Sequence, residues 1–150
     1  MISRLEYWKR QLEGVPPLLE LPADHPRPPV RSRRAGRHRF TLSRELADAL
    51  AGAADDPTIR REDALSGLLL AAFAALLQRY TGREDLLIGA PVASRFQATA
   101  PLTDPVDSPL PLRVDLTGDP SVRELSRRVG EAMANAFAHG DVTLAALLEA

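Results

Sequence analysis

Apolar residues gather most densely between Glu62 and Tyr80, in EDALSGLLLAAFAALLQRY. Leu65, Leu68, Leu69, Leu70, Phe73, Leu76 and Leu77 leave almost no polar face. A helix that is apolar nearly all round is buried in a core or spans a membrane. The uncharged run from Ala64 to Leu77 is shorter than the ~20 residues a bilayer requires. Ser66 and Gln78 weaken a membrane reading further, so the pattern predicts a buried core helix. Asp63 is placed to cap its N-terminus, at the positive end of the helix dipole. Gly82 is placed to take the left-handed conformation just past its end. The run DLLIGAPVA, Asp85 to Ala93, follows at once as a predicted buried strand.

Upstream, Leu5, Trp8 and Leu12 share one helical face, which predicts a short helix from Ser3 to Glu13 docked by Trp8. Ser3 and Glu6 fit a capping box, and Ile2 and Tyr7 a hydrophobic staple. Gly14 and Pro16 stop the helix. Six prolines between Val15 and Arg34 forbid a helix or a central strand, so this window is read as an extended connector. In RHRFTL (Arg37 to Leu42), His38, Phe40 and Leu42 alternate with polar residues, predicting a half-buried strand. Ser43 then caps a helix with Leu46, Ala49 and Leu50 turned inward. Asp55 to Thr58 forms a loop around Pro57.

After residue 93 comes a polar, proline-punctuated loop. Leu110, Leu112, Val114 and Leu116 then alternate with Pro111, Arg113 and Asp115, a second half-buried strand. Pro109 and Pro111 argue for an edge or a strand beginning. Asp119 is the expected N-cap of the next helix, with Pro120 at its first position. Val122, Leu125, Val129, Met133 and Phe137 line one face of that helix to about Ala138, where Gly140 stops it. Thr143 caps a last apolar piece, LAALLEA. The order of elements is an α/β layout with a small sheet.

The chain has 150 residues, a net charge of −1 and no cysteine. One domain's worth of chain buries about 70% of its extended surface. Disulfides, thiol nucleophiles and thiolate metal sites are excluded. Bulk charge gives no argument for nucleic acid. Of the 19 basic residues only Lys9 is a lysine, which reads as a GC-rich coding bias. Arg27, Arg31, Arg33, Arg34, Arg37 and Arg39 form a basic run without interleaved aromatics, so a solvated or acid-paired arm is the expectation. The N-terminal MISRLEYWKRQ shows no export signal, and a cytoplasmic location is expected.

Chemistry is sparse. No P-loop, glycine fingerprint or nucleophile elbow occurs. His25 lies in the connector. His38 shares the strand face of Phe40 and is read as a half-buried, satisfied imidazole. His139 ends a helix, where a cation suits the dipole, and its pairing with Asp141 is explained by the helix end. No two histidines have metal-ligand spacing. Asp104 and Asp107 are read as two solvated loop acids. No catalytic residue, cofactor or metal is assigned.

Specific wording nevertheless stands out. YWKRQLEGVPPLLELPADHPRP resembles a passage of the condensation domains of non-ribosomal peptide synthetases. RHRFTLSRELADAL resembles that family's strand-to-helix entry into its second lobe. LLLAAFAALLQRYTGREDLLIGAPVASR resembles its LLAAF…RYTG-x-ED…G-x-PVA-x-R signature. LPLRVDLTGDPSVRELSRRVGEAMANAFAHGDV resembles the strand and helix that follow. The family-matched structural positions are Tyr7, Trp8, Arg79, Tyr80, Gly82, Asp85, Gly89, Pro91 and Arg95.

The resemblance implies a chloramphenicol-acetyltransferase-like partial lobe, a small mixed sheet with packed helices. It implies a docking helix over 1–14, an extended Pro/Arg-rich connector over 15–36 and a partial second lobe over 37–150. In the family, two carrier-protein-bound acyl chains are joined through an amide, and the second histidine of HHxxxDG is the key residue. That motif does not occur in these 150 residues. Where the family reads G-x-F-x-N-T before PLR, at a stretch facing the tunnel between lobes, this chain reads PLTDPVDSPLPLR. The sequence stops at Ala150, short of the rest of the family's second lobe, and Met1 suits a native start. The resulting expectation is a truncated, catalytically inert condensation-type module. It serves as a structural, docking or dimerisation piece, with neighbouring adenylation or carrier domains or a second copy as partner. Nucleic acid and membrane are not expected partners. The alternative is half of a split condensation enzyme completed by a separate first lobe.

Overall fold

The computed structural model describes residues 4–16, 18–26, 28, 30, 36–54, 61–90 and 109–140. Four helices and two strands occur among them: α1 (Arg4–Leu12), α2 (Arg44–Ala53), α3 (Arg61–Thr81), β1 (Asp85–Ala90), β2 (Leu110–Asp115) and α4 (Val122–Ala138). The two strands pair antiparallel, with Leu86 opposite Val114, Ile88 opposite Leu112 and Ala90 opposite Leu110. Because side chains alternate across a strand, those three pairs share one face. Asp85 with Asp115, and Leu87 with Arg113, fall on the other.

Helices α3 and α4 pack on each other, and α4 packs on β2. The first core cluster joins Ala71, Ala74 and Leu77 of α3 to Leu86, Val114, Leu116, Leu125 and Val129. A second joins Trp8 of α1 to Leu110, Leu112 and Ala136. Burying each Leu or Val side chain contributes about 1.5–3 kcal/mol. Leu70 and Met133 touch both clusters and tie them into one body.

Helix ends follow local chemistry. Gly14 and Gly82 both have positive φ, 71° and 68°, just past α1 and α3. Ser43 caps α2 by accepting from the Leu46 N–H at 3.2 Å. The cap of α4 is Ser121, whose hydroxyl accepts from the Glu124 N–H at 3.3 Å. Asp119 sits instead in the turn before it, at φ 50°. The capping box Ser121-x-x-Glu124 was the better signal, since Ser and Glu satisfy reciprocal N–H groups. Glu124 also meets Arg127 at 2.7 Å and Arg128 at 3.0 Å. Its hydrogen bonds to Arg127 and then Arg128 push its carboxyl pKa down to about 2.

Several expectations change. Helix α3 is not apolar-buried all round. Its buried side is made of small residues, Gly67, Ala71 and Ala74 with Leu77, while Leu69, Phe73, Leu76 and Tyr80 face outward. The small side chains let α3 pack closely, so the bulky ones are left on the opposite arc. By length and composition alone Asp63–Thr81 would suffice to cross a bilayer. Here its buried side is occupied by α4 and the sheet. Asp63 lies inside α3 and not at its cap, because the helix already begins at Arg61.

Arg37–Leu42 is not a strand, and no strand among the described residues pairs with it. Phe40 is 77% exposed. His38 is exposed too, its ring stacked on Phe40 at 6.2 Å. Alternation buries a face only when a neighbouring layer covers it. Helix α2 has no buried residue: Leu46 and Ala49 are exposed and Leu50 is half-buried. Val122 is exposed at the first turn of α4, whereas Leu125 and Val129 are buried. The described connector residues between Val15 and Val30 hold no helix or strand. Ser3 and Ile2, the arginines 27, 31, 33 and 34, Pro57, strand residues 91–93, Asp104, Asp107, Asp141 and the piece after Thr143 lie outside the described residues.

Candidate docking surface

Two features present themselves: a clasp that holds α1, and the outer arc of α3. The clasp begins with Trp8, 1% exposed. Its indole Nε1 donates to the His139 carbonyl at 3.0 Å. A buried indole N–H needs such a partner, and the last carbonyls of α4 lack helical ones. Tyr7 packs edge-on against Trp8, centroids 5.1 Å apart. Tyr7 also stacks on the His139 ring at 3.9 Å and 9°. Burial pushes the Tyr7 phenol up from its ordinary pKa. The His139 Nδ1 lies 2.9 Å from the Asn135 carbonyl.

Arg113 closes the other end. Its Nε and Nη2 donate to Asp85 Oδ1 and Oδ2 at 2.9 and 2.8 Å, a two-pronged pair. Its Nη1 donates to the Gln11 and Glu13 carbonyls at 3.1 and 3.0 Å. One guanidinium thus ties β1 to β2 and supplies a cation to the carbonyl end of α1. The bond to Asp85 raises the Arg113 pKa further. Replacing Arg113 with Leu is expected to lower stability by about 1–3 kcal/mol, toward the low end because the pair is partly solvated. Arg113→Lys should recover only part of this, since an ammonium lacks the planar fork. Urea denaturation midpoints of the two variants check the order.

An open groove of about 340 Å³ runs between α1, β2 and α4, lined by Gln11, Arg113, Asp115, Arg128, Glu131 and Asn135 among others. Arg113 is bound to Asp85, and Arg128 to Glu124 and the Asp115 and Thr117 carbonyls. Asp115 is held below its ordinary pKa by hydrogen bonds to Thr117. These charges are engaged in holding elements together. Among the described residues no group of three His, Asp or Glu side chains gathers as a metal site.

The family-matched positions fall into three places. Tyr7, Trp8 and Asp85 belong to the clasp. Arg79, Tyr80 and Gly82 form the exposed C-terminal end of α3, with Tyr80 63% exposed. Gly89 pairs opposite Pro111, and a Cβ there would meet the Pro109 side chain at 3.3 Å. Pro91 and Arg95 lie outside the described residues. Sequence reasoning missed Arg113 and the His139 carbonyl as partners of α1. Both contacts join residues more than 100 positions apart, and no local pattern marks them.

Comparison with known proteins places this geometry. The Condensation domain family matches residues 1–150, the whole sequence. The chain belongs to the condensation-domain family. This condensation-type chain is 43% identical over 151 residues to a linear gramicidin synthase of Brevibacillus parabrevis, covering 99% of its own length and 3% of that protein. It is 40% identical over 146 residues to the phosphinothricin tripeptide synthetase PhsB of Streptomyces viridochromogenes, of which it covers 12%. It therefore spans a small part of these relatives. A solved complex of the X-domain and OxyB from teicoplanin biosynthesis aligns with TM-score 0.74 and 31% identity over 98% of this chain and 32% of that one. The four-domain synthetase AB3403, bound to AMP and glycine, aligns with TM-score 0.83 at 24% identity, over 98% of this chain and 11% of that one. The latter likeness speaks for the shared fold. The fold is thus the chloramphenicol-acetyltransferase-like one of condensation domains, represented by helices packed on a small antiparallel sheet.

Proposed function

We propose that residues 1–150 are a docking and structural element of a cytoplasmic non-ribosomal peptide synthetase (or hybrid polyketide) assembly line, contributing no catalytic side chain. They correspond to the approach to a condensation domain's second lobe and its opening elements. The observation that carries this is the outward apolar arc of α3, a surface suited to a protein partner. The three histidines support it. His25 and His38 are exposed, and His139 serves α1 through its ring and carbonyl. The HHxxxDG motif is not among these residues. A relative captured as an X-domain–OxyB complex is a precedent for partner binding on this fold.

The test offers the purified chain carrier-bound donor and acceptor acyl groups. No amide is expected, whereas its deletion from the assembly line should lower product yield and loosen the contacts between synthetase proteins. Amide formation by the chain alone, or an unaffected assembly line, overturns the reading. The match to the family along all 150 residues favours a second reading, half of a split condensation enzyme. Amide formation on adding a separate polypeptide that carries HHxxxDG would establish it.

A further inference from the structure

The outer arc of α3 has a definite pattern. Leu69, Phe73, Leu76 and Tyr80 are all exposed and recur at steps of four, three and four. That is the alternation of a two-helix seam, narrower than the stripe a helix turns toward a globular core. Ala72 lies on the same exposed arc and leaves room for a second backbone.

We propose that this seam joins two copies of the chain, α3 against α3 and antiparallel. The inference rests on the docking reading and names the partner as a second copy. Charge complementarity selects the occupant and its direction. Asp63 stands near the start of α3 and Arg79 near its end. With Leu69 opposite the partner's Phe73, Ser66 falls opposite the partner's Leu76 and Asp63 opposite the partner's Arg79. The same register sets each first-type seam position against a second-type one, as an antiparallel pair requires. A parallel pair would set Asp63 against Asp63 and Arg79 against Arg79, like charges that repel. The resulting contact is two-fold and isologous, so it closes at a dimer. A seam of four large side chains is smaller than the ~800 Å² per partner of standard interfaces, so the dimer is weak and concentration-dependent.

The absence of cysteine in the chain makes the register directly testable. Full chain carrying Ser66→Cys is mixed with full chain carrying Leu76→Cys under mild oxidation. A disulfide forms only when the two Cα atoms approach to roughly 4.4–6.8 Å. The expected product is a mixed covalent dimer well in excess of that from either variant alone. Sedimentation velocity should show wild type dimerising as concentration rises through the micromolar range. Phe73→Asp and Leu69→Asp should stay monomeric with unchanged circular dichroism. Wild type that remains monomeric overturns the proposal, as does a dimer that persists in both aspartate variants. Efficient cross-linking of Ser66→Cys with itself overturns the antiparallel register. A monomeric chain whose synthetase partner is lost in Phe73→Asp overturns the second copy as occupant while leaving the docking reading standing. Amide formation by wild type alone removes the docking reading whatever the oligomeric state.

Discussion

Trp8→Ala is expected to lower stability by about 3–5 kcal/mol, the cost of removing a large buried aromatic and leaving a cavity. In a chain of this size that corresponds to a fall in Tm of roughly 6–20 °C. Trp8 is fully buried among Leu110, Leu112 and Ala136. Its indole also holds the His139 carbonyl. The two contributions separate in Trp8→Phe, which keeps most of the apolar contact and loses only the hydrogen bond, about 0.5–1.5 kcal/mol. Because Trp8 anchors α1 ahead of a connector without helix or strand, Trp8→Ala should also open that connector to protease. Thermal denaturation followed by circular dichroism, with limited proteolysis beside it, checks both. An unchanged Tm would mean that α1 is not seated as described.

Which parts of this structure were legible in the sequence depends on whether the signal is local. Strand β2 was, because Leu110, Leu112 and Val114 alternate and are buried in alternation. The left-handed position at Gly82 was also legible, because it follows a helix end directly. Burial of α3 was read from its large residues. The packed side turned out to be Ala71, Ala74 and Leu77. Side-chain size says how much surface a residue can bury, and not which side of a helix a neighbour will cover. Arg37–Leu42 shows the same limit from the other direction. Its alternation is that of a strand, yet a strand also needs a paired edge. The clasp was half legible: Trp8 announced a docked helix, but Arg113 gains its role only once the register sets β2 beside β1 and under the end of α1. The docking surface was predicted only in general terms, as an apolar face left open. Its place on α3 required the exposures.

Leu86→Ala probes the other cluster and is expected to cost about 2–5 kcal/mol. Leu86 is fully buried on β1, opposite Val114 and within the group formed by Ala71, Ala74, Leu77, Leu125 and Val129. Its site is walled by backbone-paired strands on one side and two packed helices on the other, so collapse around the cavity is restricted. The effect should appear as a lower urea midpoint with an unchanged slope, because the amount of surface exposed on unfolding stays the same. Combining it with Trp8→Ala tests how the two clusters communicate. Only Leu70 and Met133 touch both. The double variant should therefore lose nearly the sum of the single losses, within about 0.5 kcal/mol. Trp8→Ala with Leu112→Ala, two residues of one cluster, should depart from the sum by more, since each leaves a cavity the other can partly fill. Equal coupling in both pairs would mean that α1 is continuous with the helix–sheet core and not a clasp laid over its edge.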